Sequence, residues 1–227
     1  MQSGLQCVDS EFCEEIAGAP DSTFSEIYEG DPPSRVIWET SRFRLIADMS
    51  PLCAGHLLLL PVEHYLSFAE FIDVRHGELA AVFSVMGSLY RSAFGPLTVL
   101  EHGSSDAMRT RACISHAHWH LLPVDGHRVD SLISADGLPG VSLTNIKDLA
   151  TLRGEPYFFC AHEGEYKVYD GHFPMRSQYL RSVVGRLLGI PDPLWDYALV
   201  VRKELLRETM TLTSRWRDAL PGTGASS

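Results

Sequence analysis

The sequence has no apolar run long enough to cross a bilayer. Its most hydrophobic stretch, "GHLLLLPV", is less than half of the roughly 20 residues a transmembrane helix needs. The opening "MQSGLQCVDSEFCEEIAG" lacks a basic region followed by an apolar one, so no secretory leader is expected. Positive charge is scarce, with 19 Lys and Arg against 29 Asp and Glu, a net charge of −10 and a pI near 5.4. That balance argues against a nonspecific electrostatic grip on nucleic acid, and no nucleic-acid or membrane partner is expected. Cysteine is sparse too. The count of five is odd and follows no disulfide framework, which fits a reducing cytoplasm. Cys7 and Cys13 are separated by five residues, where a zinc knuckle has two to four. There are no internal repeats and no low-complexity tract.

What is present is ordinary globular material. Apolar residues make up 45% and charged residues 21% of the 227, enough for one substantial core. A short helix is expected around Glu11–Gly18, followed by a loop ending at "DPPS". "RVIWET" and "RFRLIAD" read as strands with a turn at Thr40–Ser41, and "HLLLLPV" as a strand buried on both faces. From Val74 to Phe94 the apolar residues recur at steps of three and four, predicting an amphipathic helix that "FGP" stops. "LTVLEHG" and "ACISHAHWHLLPV" are further strands, and "YFFCAHEGEYKVYD" is a hairpin turning near Gly164. "SQYLRSVVGRLLGI" and "YALVVRKELLRETMTLTSRWRDAL" predict two closing helices. The order predicts an α+β fold with a mainly antiparallel sheet. The expected organisation is an N-terminal helix and loop (1–30), a catalytic core (31–125), a C-terminal extension packed on it (126–220) and a disordered tail (221–227).

"SHAHWHLLP" concentrates the chemistry. Alternate residues of a strand share a face, so His116, His118 and His120 would stand together, with Ala117 and Trp119 turned to the core. Three readings stand: a strand that tolerates imidazoles, a metal site, or phosphoryl chemistry on histidine. A metal site usually recruits a carboxylate, yet no Asp or Glu lies between Ala107 and Val124. Neutral imidazole is a nucleophile near pH 7, and neighbouring imidazoles can donate to oxygens that gain charge in the transition state. That scheme needs no metal, and no metal or cofactor is expected.

"HAHWHLL" resembles the His-φ-His-φ-His-φ-φ signature (φ apolar) of the histidine triad superfamily of nucleotide hydrolases and transferases. "FRLIADMSPLCAGHLLLLPVEHY" resembles the same superfamily's strand, Asp, Pro, Gly-His strand and Pro-x-x-His segment, and the helix and "EHG" strand follow in order. The resemblance spans about Glu11 to Val124. It implies a sheet of about five antiparallel strands with packed helices. It also implies that His118 is the nucleophile carrying a covalent nucleotidyl intermediate. His120 would contact the phosphate and help the leaving group, His116 would orient the constellation, and His56 would be a fourth supporting imidazole. His64 is read instead as a helix-start residue.

Further roles are implied by the same resemblance. Asp48 matches a carboxylate that receives ribose hydroxyls, with Ile46 and Met49 near the base. Glu101 stands where relatives carry an amide, Gly103 lies beside it, and Cys113 replaces a Ser or Thr that helps the leaving group. Arg109 and Arg111 fall in the loop before the triad. Relatives often begin with a "CxFC" zinc knuckle, but here it reads "SEFC", leaving Cys13, and no structural zinc is expected. "MRSQYLRSVVGRLLGIPDPLWDY" resembles the extension of larger bacterial members, whose helix start would present Ser177, Gln178 and Arg181, with Gln178 facing the site. His120 favours hydrolysis, since transferase branches have glutamine there. The implied substrate is a nucleoside monophosphate conjugate, adenosine-based by family habit. The alternatives are a nucleotidyltransferase or phosphorylase, or a non-catalytic nucleotide binder. A homodimer through the long helix and a strand edge is also implied.

Overall fold

The computed structural model describes residues 11–16, 22–104 and 116–220. Its centre is one antiparallel sheet whose strands lie in the order β1-β2-β3-β5-β4-β7-β8-β6. These are β1 (Val36–Glu39), β2 (Phe43–Ala47), β3 (Leu57–Pro61), β4 (Thr98–Gly103), β5 (Trp119–Leu122), β6 (Val141–Leu143), β7 (Tyr157–His162) and β8 (Glu165–Asp170). The helices are α1 (Glu11–Ile16), α2 (Thr23–Tyr28), α3 (Phe68–Phe94), α4 (Gly126–Ala135), α5 (Tyr179–Leu187), α6 (Lys203–Leu212) and α7 (Trp216–Ala219), with a 3-10 helix over Ile146–Leu152. No helix of the described residues is long and apolar enough to cross a membrane.

The α+β class and the antiparallel pairing are as expected, but the sheet has eight strands rather than about five. The reason is the free edge of β4. A strand in mid-sheet must pair its backbone groups on both sides. β7 does this for β4 over six residue pairs, from Thr98↔His162 to Gly103↔Tyr157. The C-terminal hairpin is therefore continuous with the sheet, and β1 and β6 are its outer strands.

Residue alternation sorts the core into two layers. Val99, Trp119, Leu121, Phe159 and Ala161 turn to the face covered by α3, where Leu79, Val82, Met86 and Tyr90 pack. Leu100, Leu122, Phe158 and Cys160 turn to the opposite face, under Val129 and Ile133 of α4 and Leu180, Val183 and Val184 of α5. β3 is buried at every position, as its unbroken apolar run predicts.

The long helix begins six residues before the Val74 read from periodicity. Ser67 caps it, its side chain accepting from Glu70 N, and Arg75 interrupts it with non-helical dihedrals (φ −138°, ψ 30°). Gly95, at φ 95°, ends the helix as "FGP" predicts. The last predicted helix is split in two, α6 starting only at Lys203 and Thr213 separating it from α7. α2 occupies a stretch read as a loop, and α4 one to which the sequence reading assigned no element. Each is capped by a side chain, Ser22 and Asp125 respectively, which is the signal that reading passed over. The tail 221–227 lies outside the described residues.

Candidate active site

β3 and β5 pair so that Leu58 stands opposite His120, and His56 immediately precedes β3 on the same face. Only His120 lies within β5. His116 is in a bend and His118 lies before the strand begins, so the expected three-histidine strand is regular only at its end. The imidazoles still converge. The rings of His118 and His120 are 4.9 Å apart and those of His56 and His120 5.2 Å.

Hydrogen bonds assign the tautomers. Leu52 N donates to Nδ1 of His56 (3.3 Å), so His56 carries its proton on Nε2. That Nε2 lies 2.9 Å from Nδ1 of His120, which accepts, leaving His120 with an Nε2–H donor. Nδ1 of His118 is 2.7 Å from the carbonyl oxygen of His116 and must donate to it, leaving a lone pair on Nε2. Nε2 of His116 donates to the Pro61 carbonyl (2.8 Å), so its Nδ1 accepts, with Sγ of Cys13 3.4 Å away. Burial keeps all four rings neutral. It pushes His56 and His116 down to about 4, His120 well below the ordinary value, and His118 below it.

Around them is a cleft of about 760 Å³, a figure that includes the open solvent at its mouth. Phe12, Asp48, Met49, His102, His118, His120, Gln178 and Arg181 are among its walls. Asp48 is buried and its carboxylate is already engaged. Oδ1 accepts from Ser50 N (2.8 Å), and Oδ2 accepts from Nη1 of Arg181 (3.2 Å) and lies 3.7 Å from Nε2 of His56. Burial is the largest single influence and opposes its ionisation, but Arg181, His56, His120 and Arg35 together overcome it and hold the carboxyl well below the usual range. Nη2 and Nε of Arg181 donate to the carbonyls of Ser50 (2.6 Å) and Trp195 (3.2 Å), so this cation ties the extension to the triad layer. Gln178, in the left-handed region at φ 54°, lines the cleft. Its amide donates to Asp196 Oδ1 (2.6 Å) and accepts from Tyr197 N (3.2 Å).

Two expected substrate contacts are corrected. Glu101 faces the other side of the sheet, where its carboxylate accepts from Phe68 N (2.6 Å), Tyr157 OH (2.8 Å) and Trp119 Nε1 (3.0 Å). Gly103 points the same way, and a Cβ there would meet the Tyr157 ring at 2.3 Å, so it is a packing glycine. The physical reason is register. Leu100 pairs with His120, which puts Leu100 and His102 on the triad face and Glu101 and Gly103 behind it. His102, passed over in the sequence, is the β4 residue that lines the cleft. Its ring lies 4.7 Å from Phe158, and burial pushes its pKa down to about 4. Phe12, Arg35 and Tyr197 were also missed, because no local pattern links them to the triad. Cys113, Arg109, Arg111 and Cys7 lie outside the described residues.

His64 does not start a helix, since the cap of α3 is Ser67. It lies beside Cys13 (Nδ1 to Sγ 3.6 Å) and its ring is 5.2 Å from that of His116. Cys13, His64 and His116 bring ligand atoms within 4.8 Å of one another, as do Asp48, His56 and His120. The first set suits zinc: a thiol and two imidazoles, with the far nitrogen of His116 already donating to a carbonyl, as ligating histidines do.

No family model matches the chain. Among curated proteins it is similar to Protein hit of Bacillus subtilis, 25% identical over 130 residues that cover 57% of this chain and 84% of that protein. It is also similar to the adenosine 5'-monophosphoramidase of Schizosaccharomyces pombe, 28% identical over 102 residues, 44% of this chain and 71% of that one. Among solved structures, a histidine triad protein from Clostridium difficile is 21% identical, covering 52% of this chain and 92% of that chain with a TM-score of 0.35.

Proposed function

The chain belongs to the histidine triad superfamily, and on that premise we propose that it hydrolyses a nucleoside monophosphate conjugate through a covalent nucleotidyl-histidine intermediate on His118. The observation that carries this reading is the bond from His118 Nδ1 to the His116 carbonyl at 2.7 Å. It fixes the tautomer whose Nε2 lone pair is available for attack, in a ring that burial keeps neutral.

The chemistry is two displacements at phosphorus. Nε2 of His118 forms a bond to the α-phosphorus as the bond to the leaving group breaks, and the leaving group takes up a proton from solvent. Water then attacks the nucleotidyl-imidazolium and breaks its P–N bond, releasing the nucleoside monophosphate and one proton to solvent, and His118 returns to its neutral form. His120, its proton fixed on Nε2 by His56, donates to a phosphate oxygen as charge builds there. His102 adds another imidazole to the same wall. Asp48 would receive ribose hydroxyls with the lone pairs that Arg181 and Ser50 leave unused. Met49 and Gln178 belong to the substrate side of the cleft. Cys13, His64 and His116 would hold a zinc ion, whose chemistry is structural: it would fix His116 and the carbonyl that orients His118.

The relative named an adenosine monophosphoramidase makes an adenosine phosphoramidate the first substrate to test. A homodimer would use β1, β6 or the helical layers, because β4 is paired on both sides. The same reading places the chain in the cytoplasm, with 31–125 as its catalytic core, 126–220 as the extension and 1–30 as the leading segment. His118→Ala should lose about 10³-fold or more of kcat on an adenosine phosphoramidate or dinucleotide, and mass spectrometry of quenched wild type should find the nucleotidyl adduct on His118. Full turnover by His118→Ala overturns the mechanism. An adduct resolved by an added alcohol or phosphate in preference to water makes the enzyme a transferase, and nucleotide binding with no turnover makes the chain a binding protein.

A further inference from the structure

At the opposite end of β5 from His116, a second group of imidazoles lies on segments that the triad chemistry does not use. His162 closes β7 and stands opposite Glu165 of β8 across the two-residue turn Glu163–Gly164, both in the left-handed region at φ 49° and 85°. His127 lies in the first turn of α4, just beyond β5, and its ring is 4.4 Å from that of His162 at an interplanar angle of 72°. Gly126 permits this approach, since a Cβ there would lie 2.2 Å from the His162 ring.

We propose that His127, His162 and Glu165 form a binding site for a divalent transition metal, with Zn²⁺ the best fit, that clamps α4 to the β7–β8 hairpin. The three ligand atoms already lie within 4.8 Å of one another. Bonds of about 2.0–2.2 Å put tetrahedral neighbours about 3.3 Å apart. The difference is within reach of the exposed His127 and Glu165 side chains, while His162 is fixed by the sheet. Two imidazoles and one carboxylate form a zinc donor set that leaves a position for water.

The second observation is His162 itself. It is 6% exposed, yet Nδ1 is buried with no partner and Nε2 is 4.0 Å from the Glu165 carboxylate, beyond hydrogen-bond distance. A buried imidazole that makes no hydrogen bond calls for an explanation, and a ligated ion provides one. Burial pushes its pKa down, as does His127, while Glu165, Glu163 and Asp130 oppose the shift. The ring is thus a free base at neutral pH, as a ligand must be.

The clamp would join the segment leaving the triad strand to the hairpin that completes the sheet. It requires nothing of His118, so its failure leaves the hydrolase reading intact. The test titrates the metal-free full chain with ZnCl₂ at pH 7.5, in parallel with His127→Ala and Glu165→Gln. Both substituted positions are exposed and leave the buried His162 in place. Wild type should bind one equivalent more than either variant, or bind it at least tenfold tighter. The imidazole ¹⁵N resonances of His162 should shift on that addition. Zinc should also raise the Tm of wild type more than that of the variants, with metal-free turnover equal in all three. Identical stoichiometry and affinity in the three proteins, or unmoved His162 resonances at saturating zinc, overturns the proposal, whatever ion the Cys13 cluster binds.

Discussion

Nε2 of His56 donates to Nδ1 of His120 at 2.9 Å, and Leu52 N, donating to Nδ1 of His56, sets the direction of that bond. One backbone amide therefore decides which nitrogen of His120 faces the cleft with a proton. His56→Ala should lower kcat about 100-fold with KM little changed, because His120 can then take the other tautomer. His56→Gln keeps an N–H on the same side chain and should recover part of the loss. Steady-state kinetics of both variants check this, and an unchanged kcat in His56→Ala removes the relay.

Acid should disable the site in two ways. His118 must be neutral to attack, and its pKa is lowered, so the acid limb of kcat/KM should lie below about 6.5 with a plateau above neutrality. The fold should weaken over the same range. His56, His102 and His116 fall from 6.5 to about 4 on folding. Groups with depressed imidazole pKa values stabilise the folded state above the unfolded value of 6.5, and this contribution disappears as the pH falls toward 4. Urea midpoints measured from pH 7.5 to 4.5 should therefore drop steadily below 6.5. A flat profile contradicts the burial of neutral rings.

Asp48 and Arg181 form a pair whose side chains are only 9% and 7% exposed. Arg181→Met strands a buried carboxylate and should cost about 3–5 kcal/mol. Adding Asp48→Asn to it should restore part of that stability, since the stranded charge is gone. Chemical unfolding of the three variants measures this, and additive losses show that the pair is not coupled.

Glu101 is the acceptor for three buried donors on the core side of the sheet. Burial raises its pKa to about 7, against the pull of those same donors. Glu101→Ala should cost about 2–4 kcal/mol through unsatisfied Trp119, Tyr157 and Phe68 groups. The KM of the folded fraction should stay as in wild type. A raised KM with unchanged stability returns Glu101 to the substrate.

His102 and Glu101 are neighbours on β4 that face opposite sides of the sheet. Both belong to "LEHG", and a sequence pattern of alternating faces leaves open which of two neighbours faces the triad. The pairing of Leu100 with His120 decides it, because a shift of one residue exchanges the faces of a strand. Likewise, Cys13 was set aside as a metal ligand on local spacing, and His64 was read as a helix start. Their separation of 51 residues hides that the fold brings Sγ and Nδ1 to 3.6 Å.

The sequence by itself determined the α+β class, the antiparallel pairing, the apolar β3 and the grouping of imidazoles at alternate positions, because hydrophobic period and chemical type are local properties. Tertiary structure alone decided that the C-terminal hairpin extends the same sheet, that Arg181 reaches across 133 residues to Asp48, and which tautomer each histidine adopts. Those outcomes depend on hydrogen bonds and ion pairs between segments far apart in the chain, and nothing in the local sequence signals such partners.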